Sequence, residues 1–279
     1  MLNGLLRLKY TRLSAQEKAI LRGNAKWKNK YRGRRCFIVG NGPSLANQDL
    51  SFLADEYVFT VNQIMRSPLY AQLRSDFHVI ADGLYFDLDP ENEHHREVIG
   101  LIRNINTAEN RPACFFPLGA KGFLERIGLD AELDISYFFS VTKTFDDFEN
   151  AMDMTRCMPG YNTVAQYAVS IAIYMGFSEI YLLGCDMTGY KEVEQFATGT
   201  FVGGTHVYAL SPEEMKKALH SERTSETWFC GFAQMFTDYR RLYEYTSKKG
   251  ILLANATDGG VLDSLPRVRL ESLAGGEHE

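Results

Sequence analysis

The sequence predicts an α/β fold, a mostly parallel sheet with helices on both faces, and three observations point to it. From residue 36 onward short apolar strands alternate with helical stretches. The first strand stops on a glycine-rich turn, CFIVGNGPSL at 36–45. Four strand-like runs lead directly into Asn or Asp, at Asn41, Asn62, Asp82 and Asp186. Polar side chains would then line one sheet edge, the carboxyl edge where open α/β sheets bind ligands, as in a Rossmann-like domain.

A basic leader comes first. Residues 1–35 hold eleven Lys or Arg against one acid, Glu17, together with Leu2, Leu5, Leu6, Leu8, Leu13, Ile20, Leu21 and Trp27. A basic helix with apolar and Trp anchors suits an anionic membrane surface. The same composition suits a helix packed on the domain with a solvated charged face, and both readings stay open. The strands follow as RCFIVG, YVFTVN (57–62), DFHVIAD (76–82) and ACFFPLG (113–119). Residues 162–186 then give helical spacing through Met175, a stop at Gly176 and the strand EIYLLGCD. A late helix, 224–250, leads to a final strand, ILLANAT. Between them, 186–223 is rich in Gly, Thr, Tyr and charge and reads as a lid-like insertion. The domain is thus expected to span 36–270, with 271–279 a disordered tail.

At 279 residues and 45% hydrophobic content the chain can bury a substantial core. It has no run of about 18 apolar residues and no cleavable apolar leader, so a cytoplasmic protein is expected, with the leader offering peripheral contact at the inner membrane face. Five cysteines without a C-x-x-C pair argue against a disulfide framework or zinc knuckle and read as small buried hydrophobes. Beyond the leader the chain holds 19 basic and 34 acidic residues, and its aromatics do not interleave with Lys and Arg, which excludes a nucleic-acid binder.

The glycine turn carries the chemistry. Gly40 and Gly42 remove side chains so that backbone N–H groups can approach a phosphate. Asn41 and Ser44 add groups for a ribose, phosphate or base, and Pro43 fixes φ at the start of a turn. The pattern is not G-x-G-x-x-G, because Leu45 takes the third glycine position, and no Gly-Lys-Ser/Thr follows for a Walker loop. Any one polar strand end reads as a turn cap. Together they favour a nucleotide site.

The blocks CFIVGNGPSL, VNQ and AVSIAIYMGFSEIYLLGCD resemble the bacterial sialyltransferase family that builds lipo-oligosaccharide outer sugars from CMP-sialic acid. They also resemble the 6-hydroxymethylpterin pyrophosphokinase-like (MptE-like) family, many of whose members come from bacterial surface-polysaccharide loci. The segments WKNKYRGRRCFIVGNGPSL and NATDGGVLDSLPRVRLESL are most similar to those polysaccharide-locus members. The resemblance implies donor-site roles for Gly40, Asn41, Gly42, Ser44, Asn62, Gly184 and Asp186, with Thr163 at a nucleotide contact. It implies a His-Ser dipeptide as the source of the general base, here His220-Ser221, with His206 the competitor; a neutral imidazole suits that task near pH 7. Thr188 and Tyr190 stand where the sialyltransferases place two tyrosines, with Tyr208 further on, and Arg156 lies near, not at, the position of a family arginine. Asp82 replaces an Asn, an acid that repels a donor phosphate yet suits Mg²⁺ or a ribose hydroxyl.

The expected function is a metal-independent glycosyltransferase with a CMP-sugar donor, a glycan or glycolipid acceptor and no tightly bound cofactor. The alternative is a Mg²⁺-dependent pyrophosphokinase in which Asp82 and Asp186 hold the metal between ATP phosphates. A non-catalytic nucleotide-binding protein is the third reading. The oligomeric state is left open, a homo-oligomer included.

Overall fold

The computed structural model describes residues 10–83, 86, 88–107, 110–141, 151–198, 206–209 and 224–274. Among them are seven strands: β1 (Arg35–Val39), β2 (Tyr57–Val61), β3 (Phe77–Val79), β4 (Ala113–Pro117), β5 (Asp134–Phe138), β6 (Glu179–Leu183) and β7 (Leu252–Asn255). They form one sheet in the order β5-β4-β3-β2-β1-β6-β7, every pairing parallel. The helices are α1 (Ala15–Arg22), α2 (Tyr70–Leu73), α3 (Glu93–Arg103), α4 (Lys121–Arg126), α5 (Val164–Met175), α6 (Glu192–Thr198) and α7 (Ser225–Lys248).

Parallel strands buried on both faces need apolar residues at successive positions, and β1 shows why. Cys36 and Ile38 join a core with Ala168, Ile171 and Ala172 of α5 and Tyr239 and Leu242 of α7. Phe37 and Val39 point the other way, onto Leu45, Leu53, Leu73 and Leu270. A third cluster packs Ile99 and Ile102 of α3 and Phe123 and Leu124 of α4 on Cys114 and Phe116. The chain runs outward from β1 to β5, then returns through α5 to β6 on the other side of β1. That reversal opens a crevice between the carboxyl ends of β1 and β6.

Two elements differ from the sequence reading. DISYF forms the edge strand β5, unassigned because its start is exposed and its pattern is polar-interrupted. Within 186–223 the described residues include a 3₁₀ turn (Gly189–Lys191) and α6, rather than only loop. At the carboxyl end, Leu270 is buried in a 3₁₀ turn that covers Leu270–Ser272.

The basic leader is folded onto the domain from Ser14 onward. Ser14 Oγ accepts the Glu17 N–H at 3.1 Å while Glu17 accepts the Ser14 N–H at 2.8 Å, a capping box that starts α1. Trp27 is buried, donates its indole N–H to Ser136 Oγ at 2.9 Å and meets Phe77 edge-on. Asn24 Nδ2 bonds the carbonyls of Tyr137 and Met154. Tyr31 stacks flat on Phe177. Leu21 and Trp27 are therefore buried against the domain, Trp27 within the apolar core on one sheet face. Arg22, Lys26, Lys28, Lys30, Arg32 and Arg34 remain exposed. Among the described residues no helix is long and apolar enough to cross a membrane. Cys36, Cys114, Cys157 and Cys185 are buried as expected, but Cys230 is exposed on α7.

One polar group sits at the centre of the sheet. His78 of β3 is fully buried, with Nδ1 2.8 Å from Thr60 Oγ1 and Nε2 3.0 Å from the Asn62 carbonyl. Burial outweighs the carbonyl contact and pushes its pKa down to about 3. The unfolded chain, with an ordinary histidine near pH 6.5, binds more protons between those values. Stability supplied by neutral His78 is thus complete above about pH 6.5 and is lost as pH falls toward 3, at a slope of up to about 1.4 kcal/mol per pH unit. Denaturant titrations across that range are expected to show this slope in the difference between the wild type and the non-titrating His78→Gln variant, because the buried carboxyls that titrate in the opposite sense are common to both.

Candidate functional site

The exits of β1, β6 and β7 meet at the crevice. Along the β1 exit every second N–H is engaged by β6: Gly40 donates to the Leu183 carbonyl at 2.8 Å and Gly42 to the Gly184 carbonyl at 2.8 Å. Ser44 then donates its N–H to Asp186 Oδ1 at 3.2 Å and its hydroxyl to Oδ2 at 2.8 Å. A Cβ at Gly42 would overlap the Asp186 carboxylate. The sequence reading assigned these glycines to a phosphate; the structure shows that they admit the exit of β6, and that three of the N–H groups expected to face a ligand face it instead. Asp186 is buried, which pushes its carboxyl pKa up, while the two bonds from Ser44 oppose that shift.

The β7 exit closes the third side. Val261 donates its N–H to the Asp186 carbonyl at 2.8 Å, and Thr257 Oγ1 accepts the Cys185 N–H at 3.0 Å. Gly260, at φ +68, lies so close beneath Asp186 that a Cβ would come within 2.5 Å of its carbonyl. Arg267 braces the loop by donating to the carbonyls of Gly259 and Gly260. None of these residues was among the sequence-predicted site, although NATDGG at a strand end carried the same Asn, Asp and Gly signal as the other exits.

Two side chains at this edge are left with an unmet need. Asn41 Oδ1 and Asn62 Oδ1 are buried and have no hydrogen-bond partner among the described residues. Such atoms normally find one. Asn62 lies past the end of β2 with φ at +46, a left-handed conformation that Asn tolerates. The Asn41 carbonyl accepts the Val207 N–H at 2.7 Å, which brings His206–Ala209 against the turn. Arg66 secures this strap: it donates to the Ala209 carbonyl at 2.6 Å and to Gln63 Oε1 at 2.8 Å and lies 4.8 Å over the Tyr208 ring. The strap places His206 beside the crevice with its ring 5.1 Å from that of Tyr208, whereas His220 lies outside the described residues.

The other sequence-predicted residues are spread along the same edge. Gly184 ends β6 with φ at +60 under the Leu45 side chain. Thr163 occupies the N-cap position of α5, Asp82 is exposed beyond β3, and Tyr190, 42% exposed, lies in the turn that packs Gly189 against Phe232 of α7. Arg156 lies 6.0 Å over the ring of Tyr10, in the leader. Among the described residues no three His, Cys, Asp or Glu side chains converge as a metal ion would require.

The packing at Gly42 predicts a sharp cost. Gly42→Ala is expected to lose about 1–3 kcal/mol in chemical denaturation through forced displacement of the Asp186 carboxylate. Gly119→Ala, where an added methyl meets nothing within 4 Å, is expected to stay within about 0.5 kcal/mol of wild type. Asp186→Ala in the Gly42→Ala background is expected to be markedly non-additive.

A search of curated proteins found no match. Among solved structures the chain is similar to the sialyltransferase CstII from Campylobacter jejuni in complex with a substrate analogue, cytidine-5'-monophosphate. The TM-score is 0.50 at 19% identity, over 85% of each chain, a likeness of fold. A structure of CST-II in complex with trisaccharide acceptor and CMP aligns at a TM-score of 0.49 and 18% identity, over 84% of this chain and 86% of that one. A family profile described as 6-hydroxymethylpterin diphosphokinase MptE-like matches residues 14–192, from the cap of α1 to the first residue of α6, and on that match the protein belongs to the MptE-like family.

Proposed function

We propose that the protein is a glycosyltransferase of bacterial surface polysaccharide or lipo-oligosaccharide assembly that takes a nucleotide sugar, with a CMP-sialic-acid-like donor, and works without a metal ion. The observation that carries this reading is the pair of buried acceptor oxygens, Asn41 Oδ1 and Asn62 Oδ1, at the carboxyl ends of adjacent strands β1 and β2. A base amino group or ribose hydroxyl would satisfy them, and leaving them unmet is costly. Asp186 supports the metal-free form: both of its oxygens are hydrogen-bonded to Ser44, so it braces the crevice.

In this reading a neutral imidazole takes the proton of the acceptor hydroxyl as that oxygen bonds to the anomeric carbon. The bond from that carbon to the donor phosphate oxygen breaks, and the nucleotide monophosphate leaves with the electron pair. His220 is the base that the resemblance assigns. His206 is the second candidate because Val207 ties its strap to the Asn41 carbonyl. Gly40, Gly42, Gly184 and Ser44 shape the donor crevice, and Thr163, Asp82 and Tyr190 flank it.

Peripheral contact with an anionic membrane through residues 1–35 belongs to the same proposal. Lys28, Lys30, Arg32 and Arg34 lie where Asn29 and Tyr31 donate to the carbonyls of Tyr174 and Met175, at the amino ends of the strands. A surface bound there would face away from the crevice, leaving the acceptor to approach from the opposite side.

The competing reading, Mg²⁺-dependent diphosphoryl transfer from ATP with Asp82 and Asp186 on the metal, is favoured by the family description itself. Calorimetric titration with CMP, CDP, UDP, GDP and ATP, each with Mg²⁺ and with EDTA, separates them. The proposal expects CMP to bind in EDTA and Asn41→Ala or Asn62→Ala to weaken it about tenfold each, near 1.4 kcal/mol. ATP binding that needs Mg²⁺, with no response to CMP, would establish the kinase in its place. With a donor in hand, kcat/KM is expected to fall at acid pH as the base is protonated, and the base is whichever of His220→Ala and His206→Ala removes about 10²–10⁴ of the rate.

A further inference from the structure

We infer that His78 is a positioning residue for Asn62, the end of a buried hydrogen-bond chain that sets the asparagine side chain toward the crevice. The functional half of this inference rests on the nucleotide reading of Asn62; the structural half does not.

Asn62 is held at φ +46 by both of its backbone polar groups, and both partners come from β3. Its N–H donates to the Val79 carbonyl at 2.9 Å, and its carbonyl faces His78 Nε2 at 3.0 Å. The parallel register explains how: Thr60 pairs with His78 and Val61 with Val79, so the residue after β2 curls back over the two residues at the end of β3. A carbonyl can only accept, so His78 Nε2 carries the hydrogen. Complete burial keeps the ring neutral, so Nδ1 holds the lone pair and Thr60 is the donor across the 2.8 Å contact. Ser75 Oγ, 2.7 Å from Thr60 Oγ1 and 2.7 Å from the Phe77 carbonyl, closes the far end, with its one hydrogen shared between these two acceptors.

All three side chains are buried, Thr60 and His78 completely and Ser75 to 3% exposure, between the apolar Phe77 and Val79. An apolar residue at 78 would fill the core without burying an imidazole. What the imidazole adds is reach: it carries the chain of hydroxyls to the one peptide that needs fixing. With that peptide fixed, the direction of the Asn62 side chain is set before any ligand arrives, and its buried Oδ1 is presented without searching rotamers and backbone together.

The test uses the full chain and two readouts. Asparagine-labelled protein gives the Asn62 ¹³Cα and ¹³Cβ shifts, which report the left-handed backbone without any nucleotide. Calorimetry with CMP in EDTA gives affinity. His78→Gln, whose amide nitrogen can occupy the Nε2 position, is expected to keep the Asn62 shifts and bind within about threefold of wild type. His78→Leu, and His78→Asn as a second variant that keeps a polar group beside Thr60 but cannot reach Asn62, are expected to move those shifts and weaken CMP about tenfold. In an Asn62→Gly background, where the positioned side chain is gone, His78→Leu is expected to leave affinity unchanged. Unmoved Asn62 shifts in both His78→Leu and His78→Asn overturn the inference. So does an affinity loss that persists in full in Asn62→Gly. Shifts that move in a protein that binds no CMP uphold the positioning and overturn the nucleotide reading alone.

Discussion

The carboxylate of Asp186, held by the Ser44 N–H and hydroxyl, is the interaction on which the crevice depends. It joins the exits of β1 and β6, adjacent in the sheet yet separated by more than a hundred residues of chain, at the point where the sheet order reverses. A charge out of water is tolerated when charge-assisted hydrogen bonds replace its hydration, and here a backbone and a side-chain donor do so together. Gly42 is glycine because that carboxylate passes where a side chain would stand, and Gly260 is glycine because the β7 exit closes on the same residue from below. Remove the carboxylate and the β1 turn loses its side-chain tie to the β6 exit, while the β7 exit keeps its bond to the Asp186 carbonyl.

Much of the sheet was legible in the sequence because its central strands are buried on both faces and carry continuous apolar runs, as in RCFIV, YVFTV and EIYLL. DISYF escaped because it stands at the sheet edge, where one face is wet and a Ser is tolerated opposite the Trp27 indole. The glycine turn was recognisable as a place of close approach, but not what approaches, since nothing local to residues 40–44 says that Asp186 arrives there. The choice between the two readings of Trp27 was open for a related reason: basic flanks show that a segment is solvated on one side, and tertiary packing, here the core around Phe77 and Phe115, decides what meets the other. The placement of Asn41, Asn62 and Asp186 at one sheet edge was legible from the rule that polar residues at parallel strand ends gather there. The bracing residues Thr257, Gly260 and Arg267 and the strut at His78 were not, because each acts through a partner distant in the chain or in an adjacent strand.

The fold constrains chemistry without naming it. The chain has the fold of a sialyltransferase and belongs to a family described by pterin diphosphokinase activity, so one fold accompanies two different chemistries. What separates them is the state of the acids. An Asp186 already committed to Ser44 behaves as part of the scaffold, while the amides of Asn41 and Asn62 keep a buried acceptor oxygen unmet among the described residues. Amides read hydroxyls and base edges, where a phosphate chain with its metal calls for charged ligands.

The most direct measurement is a crystal structure of the protein grown with CMP in EDTA. Asn41 and Asn62 within hydrogen-bond distance of the nucleoside, with the Asp186 to Ser44 bonds intact, is the arrangement expected from this geometry. A nucleotide seated elsewhere, or one whose phosphate displaces Asp186 from Ser44, would contradict it and return the glycine turn to the role of a phosphate cradle.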